Sequence, residues 1–201
     1  MKYLLLMGAS GSGKTTLAKK LEEQMPNKFK RIIQCTTRQI RNGETNNVDY
    51  KFIPKSDYKR IREYMTARVE KQFKPNYYGT LLNDLAKDNN IWNIIVVSIE
   101  GFVDFIKNGP IKADDEVVLM NIIINNNSDV SRPERSPITE QEENIKTIDG
   151  LKVNGELPCK NNKVHLIEIQ HHELAKIRDD VDKLTKYICK KLTKWQKYKL
   201  N

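Results

Sequence analysis

Eight residues near the N-terminus constrain this chain more than any other feature: Gly8-Ala9-Ser10-Gly11-Ser12-Gly13-Lys14-Thr15. They fit the G-x-x-x-x-G-K-[ST] phosphate loop without a gap. The apolar run Lys2-Tyr3-Leu4-Leu5-Leu6-Met7 before them suits a strand buried on both faces of a parallel sheet. The helix formers from Thr16 to Gln24 after them place Leu17 and Leu21 on one helical face. Backbone N–H groups of such a turn must point at phosphate oxygens, in conformations that a Cβ blocks at several positions. The following helix N-terminus adds partial positive charge. Gly8 through Thr16 are therefore expected to cradle a triphosphate, with Lys14 on its terminal phosphates and the Thr15 hydroxyl on Mg²⁺.

The charge balance is consistent with an anionic ligand. The net charge is +9 over 201 residues, which suits nucleotides as well as nucleic acid. Much of the excess falls in the C-terminal lysines from Lys183 to Lys199. A solvated helix face explains these better than a nucleic-acid surface. No apolar run approaches the roughly 20 residues that cross a bilayer, and the N-terminal run enters the phosphate loop with no cleavage site. A cytoplasmic protein with no membrane contact is expected. Cys35, Cys159 and Cys189 are widely spaced with no C-x-x-C pair, which argues against a disulfide framework and a zinc site. Oligomeric state is not legible.

Strands and helices alternate along the chain. Strands are expected at 29–36, 50–53, 67–73, 91–98, 116–124 and 164–169, and helices at 56–64, 81–87 and 100–108, from Thr139, and over 171–199. Thr139-Glu140-Gln141-Glu142 reads as a capping box. Alternation begun by a phosphate loop gives an α/β fold: three layers, α/β/α, around a parallel core sheet. One domain is expected, with its core at 1–36, 91–124 and 160–201, an inserted monophosphate-binding lobe at 37–90 and a small lid at 125–146.

A second constellation lies inside the inserted lobe. Thr36-Thr37-Arg38-Gln39-Ile40-Arg41-Asn42-Gly43-Glu44, then Tyr50, and later Asn76-Tyr77-Tyr78-Gly79-Thr80, resemble the signature of the guanylate kinase family of P-loop nucleoside monophosphate kinases. Two arginines three residues apart with two tyrosines offer charged forks and hydroxyl donors to a monophosphate. The resemblance implies that Arg38, Arg41, Tyr50 and Tyr78 hold the acceptor phosphate, with Glu44 holding the arginines. Asn47 stands where the family often has glycine, and asparagine tolerates the left-handed conformation. The stretch from Ser131 to Ser136 is similar to the family's lid, implying that Arg135 and Arg132 close over the donor phosphates. Lys146 stands where the family carries an arginine.

The departures cluster at the base. In the family the guanine ring is read from positions that here carry Gln34, Val69, Thr80 and Glu100, and Ser98 stands where an aspartate is common. Glu70 could replace the glutamate missing at Val69, but a one-residue shift in a strand reverses the face unless a bulge intervenes. The resemblance implies ATP- and Mg²⁺-dependent phosphorylation of GMP or dGMP, with small nucleotides as partners and nucleic acid not expected. Two alternatives stay open: a kinase of the same fold with another acceptor base or phosphorylated small molecule, and a phosphopeptide-binding scaffold.

Overall fold

The computed structural model describes residues 1–70, 76–124, 137–152, 157–159, 162–177 and 180–198. The chain opens with strand β1 (Lys2–Gly8), the phosphate loop and helix α1 (Lys14–Gln24). Among the described residues, β1 sits inside a six-stranded sheet ordered β2 (Phe29–Arg31), β7 (Trp92–Val96), β1, β8 (Glu116–Ile123), β10 (Asn162–Gln170) and β9 (Leu157–Cys159). The pairings from β2 through β10 are parallel, and β9 closes one edge antiparallel.

The apolar run of β1 divides its side chains between two cores. Tyr3, Leu5 and Met7 join Leu119, Ile95, Phe102 and Phe105 on one face. Helix α3 (Ile99–Asn108) and helix α4 (Pro137–Leu151) cover that face, supplying Phe102, Phe105 and Ile148. Leu4 and Leu6 join Leu17, Leu21, Ile94 and Met120 on the other, under α1 and the C-terminal helices α5 (His171–Ile177) and α6 (Val181–Tyr198). A strand with both faces buried has no polar alternation, which is why it reads as a continuous apolar run.

A second, four-stranded sheet is formed by the region expected to be the acceptor lobe. Its order is β4 (Lys51–Phe52), β3 (Cys35–Thr36), β6 (Tyr77–Leu81) and β5 (Met65–Glu70). Helix α2 (Lys55–Ile61) packs on one side through Tyr58, buried with Cys35 and Met65. Helix α3 approaches β5 from the other, where a Cβ on Gly101 would lie 3.2 Å from the Ala67 carbonyl oxygen. The small sheet is thereby braced against the large one.

Several expectations change. The single strand expected over 29–36 is two strands in different sheets, β2 and β3, so Cys35 and Thr36 belong to the acceptor lobe's sheet. The helix expected at 81–87 is a 3₁₀ turn over Leu82–Asp84, because Thr80 and Leu81 continue β6. The helix expected over 171–199 is two helices. Thr139 does not cap α4: the helix already starts at Pro137, whose fixed φ and missing N–H suit a first turn. Gln141 instead reaches back to β8's end, accepting from Ile124 N–H at 2.7 Å and donating to Ile124 C=O at 3.0 Å.

Candidate active site

The phosphate loop is built by backbone geometry. Gly8, Gly11 and Gly13 all have positive φ, at 145°, 82° and 86°. At Gly8 the reason is also steric, since a Cβ would come within 2.6 Å of the Ile122 carbonyl oxygen. Gly13 is the N-cap of α1, and its carbonyl accepts from Leu17 N–H at 2.9 Å. Ser12 is buried, while Thr15 and Thr16 open the helix with exposed side chains. Lys14 Nζ donates to Gly8 C=O at 2.8 Å and Ala9 C=O at 2.6 Å. Burial pushes its ammonium down to about 8, and the Glu140 carboxylate opposes that shift.

The residues expected to hold the acceptor phosphate form a second cluster, made of side chains. Arg38 is buried, and its guanidinium grips Glu44 with both terminal nitrogens, at 2.6 and 2.7 Å, and donates to Gln39 C=O at 2.9 Å. The same guanidinium lies 5.0 Å from the Tyr50 ring centroid and 5.3 Å from that of Phe52. Tyr50 and Tyr78 meet edge to face at 6.0 Å. The hydrogen bond from Arg38 holds the Glu44 carboxyl below its usual range, so the pair is ionised. Burial, then Tyr78, pushes the Tyr50 phenol up, so its hydroxyl stays protonated and can donate. Arg41 lies at the rim, its side chain exposed and its N–H donating to Glu44 at 2.9 Å. Gly43 with φ 82° and Asn47 with φ 62° shape the loop between them. Asn47 adopts the left-handed conformation that asparagine tolerates. An ion pair between Lys19 of α1 and Asp49, at 2.8 Å, ties this loop to the helix that follows the phosphate loop.

The base-reading positions separate. Gln34 and Thr80 meet, with Gln34 Nε2 donating to Thr80 Oγ1 at 3.1 Å. Glu100 is exposed in the first turn of α3, and Ser98 is that helix's N-cap, accepting from Gly101 N–H at 3.4 Å. Glu70 does not join them. A bulge between Thr66 and Val69, with Ala67 at φ 51°, resets the register of β5. Val69 then pairs with Tyr78, and Glu70 pairs with Tyr77. The rings of Tyr77 and Tyr58 lie 5.1 Å apart, so Glu70 faces α2, and it forms an ion pair at 3.2 Å with Arg62 in the 3₁₀ turn that follows that helix. The bulge expected as a route into the site is present, and it turns the carboxylate out of it.

The lid arginines Arg132 and Arg135 lie outside the described residues. Lys146 is exposed on α4. Two features near the phosphate loop carry no sequence signal. Glu140, read as part of a capping box, accepts from Ser10 N–H at 3.1 Å. His171, read as structural, lines a cleft of about 220 Å³ beside Gly13, Thr16 and Leu17, and its buried Nδ1 has no hydrogen-bond partner. Among the described residues no cluster of acidic, His or Cys side chains could hold a metal ion. No helix there is long and apolar enough to cross a membrane.

Comparisons with known proteins place the chain in a family. The chain is 28% identical over 185 residues to a guanylate kinase of Mycoplasma capricolum, covering 89% of this chain and 59% of that one. It is 30% identical over 131 residues to one of Campylobacter jejuni, covering 64% and 62%. A guanylate kinase of Chlamydia trachomatis matches at 28% over 111 residues, 54% of either chain. The chain thus spans little more than half the length of the curated relatives it matches. The crystal structure of guanylate kinase from Anaplasma phagocytophilum superposes with a TM-score of 0.58 at 18% identity, covering 93% of this chain and 85% of that one; at that identity the likeness speaks for the fold. The guanylate kinase profile matches residues 1–184, which takes in the phosphate loop and the whole acceptor lobe, and the chain belongs to the guanylate kinase family.

Proposed function

We propose that this chain transfers the γ-phosphoryl group of ATP to GMP, or dGMP, giving ADP and the corresponding diphosphate. The observation that carries this reading is the pair of anion sites, one of backbone amides with Lys14 and the other of Arg38, Arg41, Tyr50 and Tyr78, joined through the Lys19–Asp49 contact on α1. A two-substrate phosphoryl transfer needs two anions held facing each other. An ionised acceptor phosphate needs no general base, so the work is positioning and charge neutralisation. Lys14 would leave the loop carbonyls for the donor's terminal phosphates. Mg²⁺ would be held by the Thr15 hydroxyl and the phosphates themselves, which suits an ion that binds through few protein ligands; its chemistry is neutralisation of the developing charge. Arg132 and Arg135 would add charge from the lid, and Lys146 from α4. The cleft at His171 would take the donor's base. The domain division follows: core, acceptor lobe and lid.

At the base, Gln34 and Thr80 are the supported readers, with Glu100 at the rim. Gln34 keeps its carbonyl and one N–H for a ring edge once Thr80 has taken the other N–H. Val69 brings no polar group and Glu70 faces away, and this favours a second reading, that discrimination among bases is weaker than a site with a carboxylate would give. The intact phosphate loop argues against the phosphopeptide scaffold. ADP release with GMP, dGMP, IMP, AMP, CMP and UMP tests both readings. GMP-dependent release supports the kinase; release equal for every monophosphate overturns guanine as the preferred acceptor; and no release with any of them overturns the kinase.

A further inference from the structure

A phosphate loop is a set of N–H donors and a cation aimed at an anion. Here one anion belongs to the chain. The Glu140 carboxylate accepts from Ser10 N–H at 3.1 Å and lies close enough to Lys14 to act on its charge. Its place is fixed from behind. Gln141, the next residue of α4, clamps both backbone groups of Ile124 at the end of β8, and Asn144 and Ile148 are buried on the same helix. The backbone at Glu140 therefore cannot retreat far, although the side chain has three rotatable bonds. Lys14 meanwhile spends its donors on Gly8 and Ala9 carbonyls of its own loop.

We propose that Glu140 is an internal competitor for the phosphate loop: its carboxylate occupies the mouth of the loop at Ser10, and a polyphosphate binds by displacing it. The proposal rests on reading the loop as the donor-phosphate site. A triphosphate brings several negative charges to the same N–H donors and the same ammonium. Two anions held there repel each other, and in a partly buried site that repulsion is worth far more than in water. Because α4 stays anchored, the displaced carboxylate remains nearby and opposes the ligand throughout its stay. It also recaptures Ser10 N–H when the ligand leaves. Glu140 thus weakens donor binding and speeds release of the diphosphate product. A supporting role is the opposite possibility: Glu140 would hold the loop in its binding shape, and removing its charge would cost affinity. The two roles differ in sign.

The test is calorimetric titration of the full chain, with Mg²⁺ present, using inorganic tripolyphosphate and ATP as separate probes. Glu140→Gln keeps an oxygen for Ser10 N–H and removes the charge. It is expected to bind both probes about tenfold more tightly, with ADP dissociating more slowly, and to melt within a few degrees of the parent chain. Glu140→Asp keeps the charge but shortens the reach, and an intermediate gain is expected; it serves as the second variant if Glu140→Gln folds poorly. Affinity unchanged within twofold, or weakened, in the variant that folds overturns the proposal. If the parent chain binds both probes and Lys14→Ala abolishes this while Glu140→Gln changes nothing, the competitor idea alone fails. If the parent chain binds neither probe, the donor-site reading fails as well.

Discussion

The two halves of the proposed site are built in opposite ways. The donor half is one contiguous stretch, Gly8 to Thr16, whose function lies in backbone N–H groups held by three positive-φ glycines. The acceptor half is a gathering of side chains from the loop between β3 and β4, from β4 and from β6, and its geometry depends on strand register. A backbone site tolerates little change in sequence but needs no partner far away. A side-chain site can lose one member and keep the rest, as Val69 and Glu70 illustrate.

The contrast ranks the expected effects of substitution. The largest is Lys14→Ala, which removes the phosphate loop's own ammonium from the terminal phosphates. Turnover should fall by about a thousandfold or more with an unchanged melting temperature, and near-normal ADP release would break the assignment. Next is Glu44→Ala, which leaves the buried Arg38 guanidinium without its bidentate partner. Removing one member of such a pair costs roughly 3 kcal/mol, so both the melting temperature and the monophosphate KM should suffer. Arg41→Ala separates binding from folding, because Arg41 is exposed at the rim. It should raise the monophosphate KM by about tenfold, leaving stability and ATP affinity unchanged; an effect on ATP alone would contradict its place in the acceptor half.

A pH titration probes the donor half alone. The Lys14 ammonium is held down to about 8 by burial, so the loop carries its full charge below that pH and loses it above. A bound triphosphate favours the charged form. ATP binding should therefore take up a proton above pH 8 and weaken as pH rises, by about tenfold per unit. Calorimetry in two buffers of different ionisation heat reads that uptake directly, and the effect should vanish in Lys14→Ala. The smallest expected effect is that of Glu70→Gln. Glu70 faces α2 and pairs with Arg62 at a half-exposed site, so the change should cost less than about 1 kcal/mol. The GMP KM should move less than twofold, and a larger rise would mean that Glu70 reaches the base.

The donor half was legible in sequence for the reason that makes it robust: its residues are consecutive, and each glycine answers a local demand. Arg38, Arg41, Tyr50 and Tyr78 were legible only as a spaced pattern, through resemblance. The face taken by Glu70 was not legible, because it follows from a bulge centred on Ala67, a residue with no intrinsic liking for φ 51°. The contact of Glu140 with the phosphate loop, and the place of His171 in the cleft beside it, were hidden for a related reason. They join residues more than a hundred positions apart, and a single sequence records spacing along the chain, not proximity in space. The assignment of Cys35–Thr36 to the smaller sheet likewise follows from tertiary packing that overrides local propensity, whereas the start of α6 has a local cause, Asp180 accepting from Lys183 N–H at 3.0 Å as its N-cap.

The kinase reading needs two anion sites, one of backbone amides at the phosphate loop and one of side chains at Arg38, Arg41, Tyr50 and Tyr78, with a monophosphate as acceptor. The measurement that tests it most directly is the rate of ADP release from ATP and Mg²⁺ as GMP is titrated, in the parent chain and in Arg41→Ala. Release should be negligible without GMP, saturate with it, and shift to about tenfold higher GMP in the variant. Release that is independent of GMP, or identical GMP dependence in the two proteins, would contradict it.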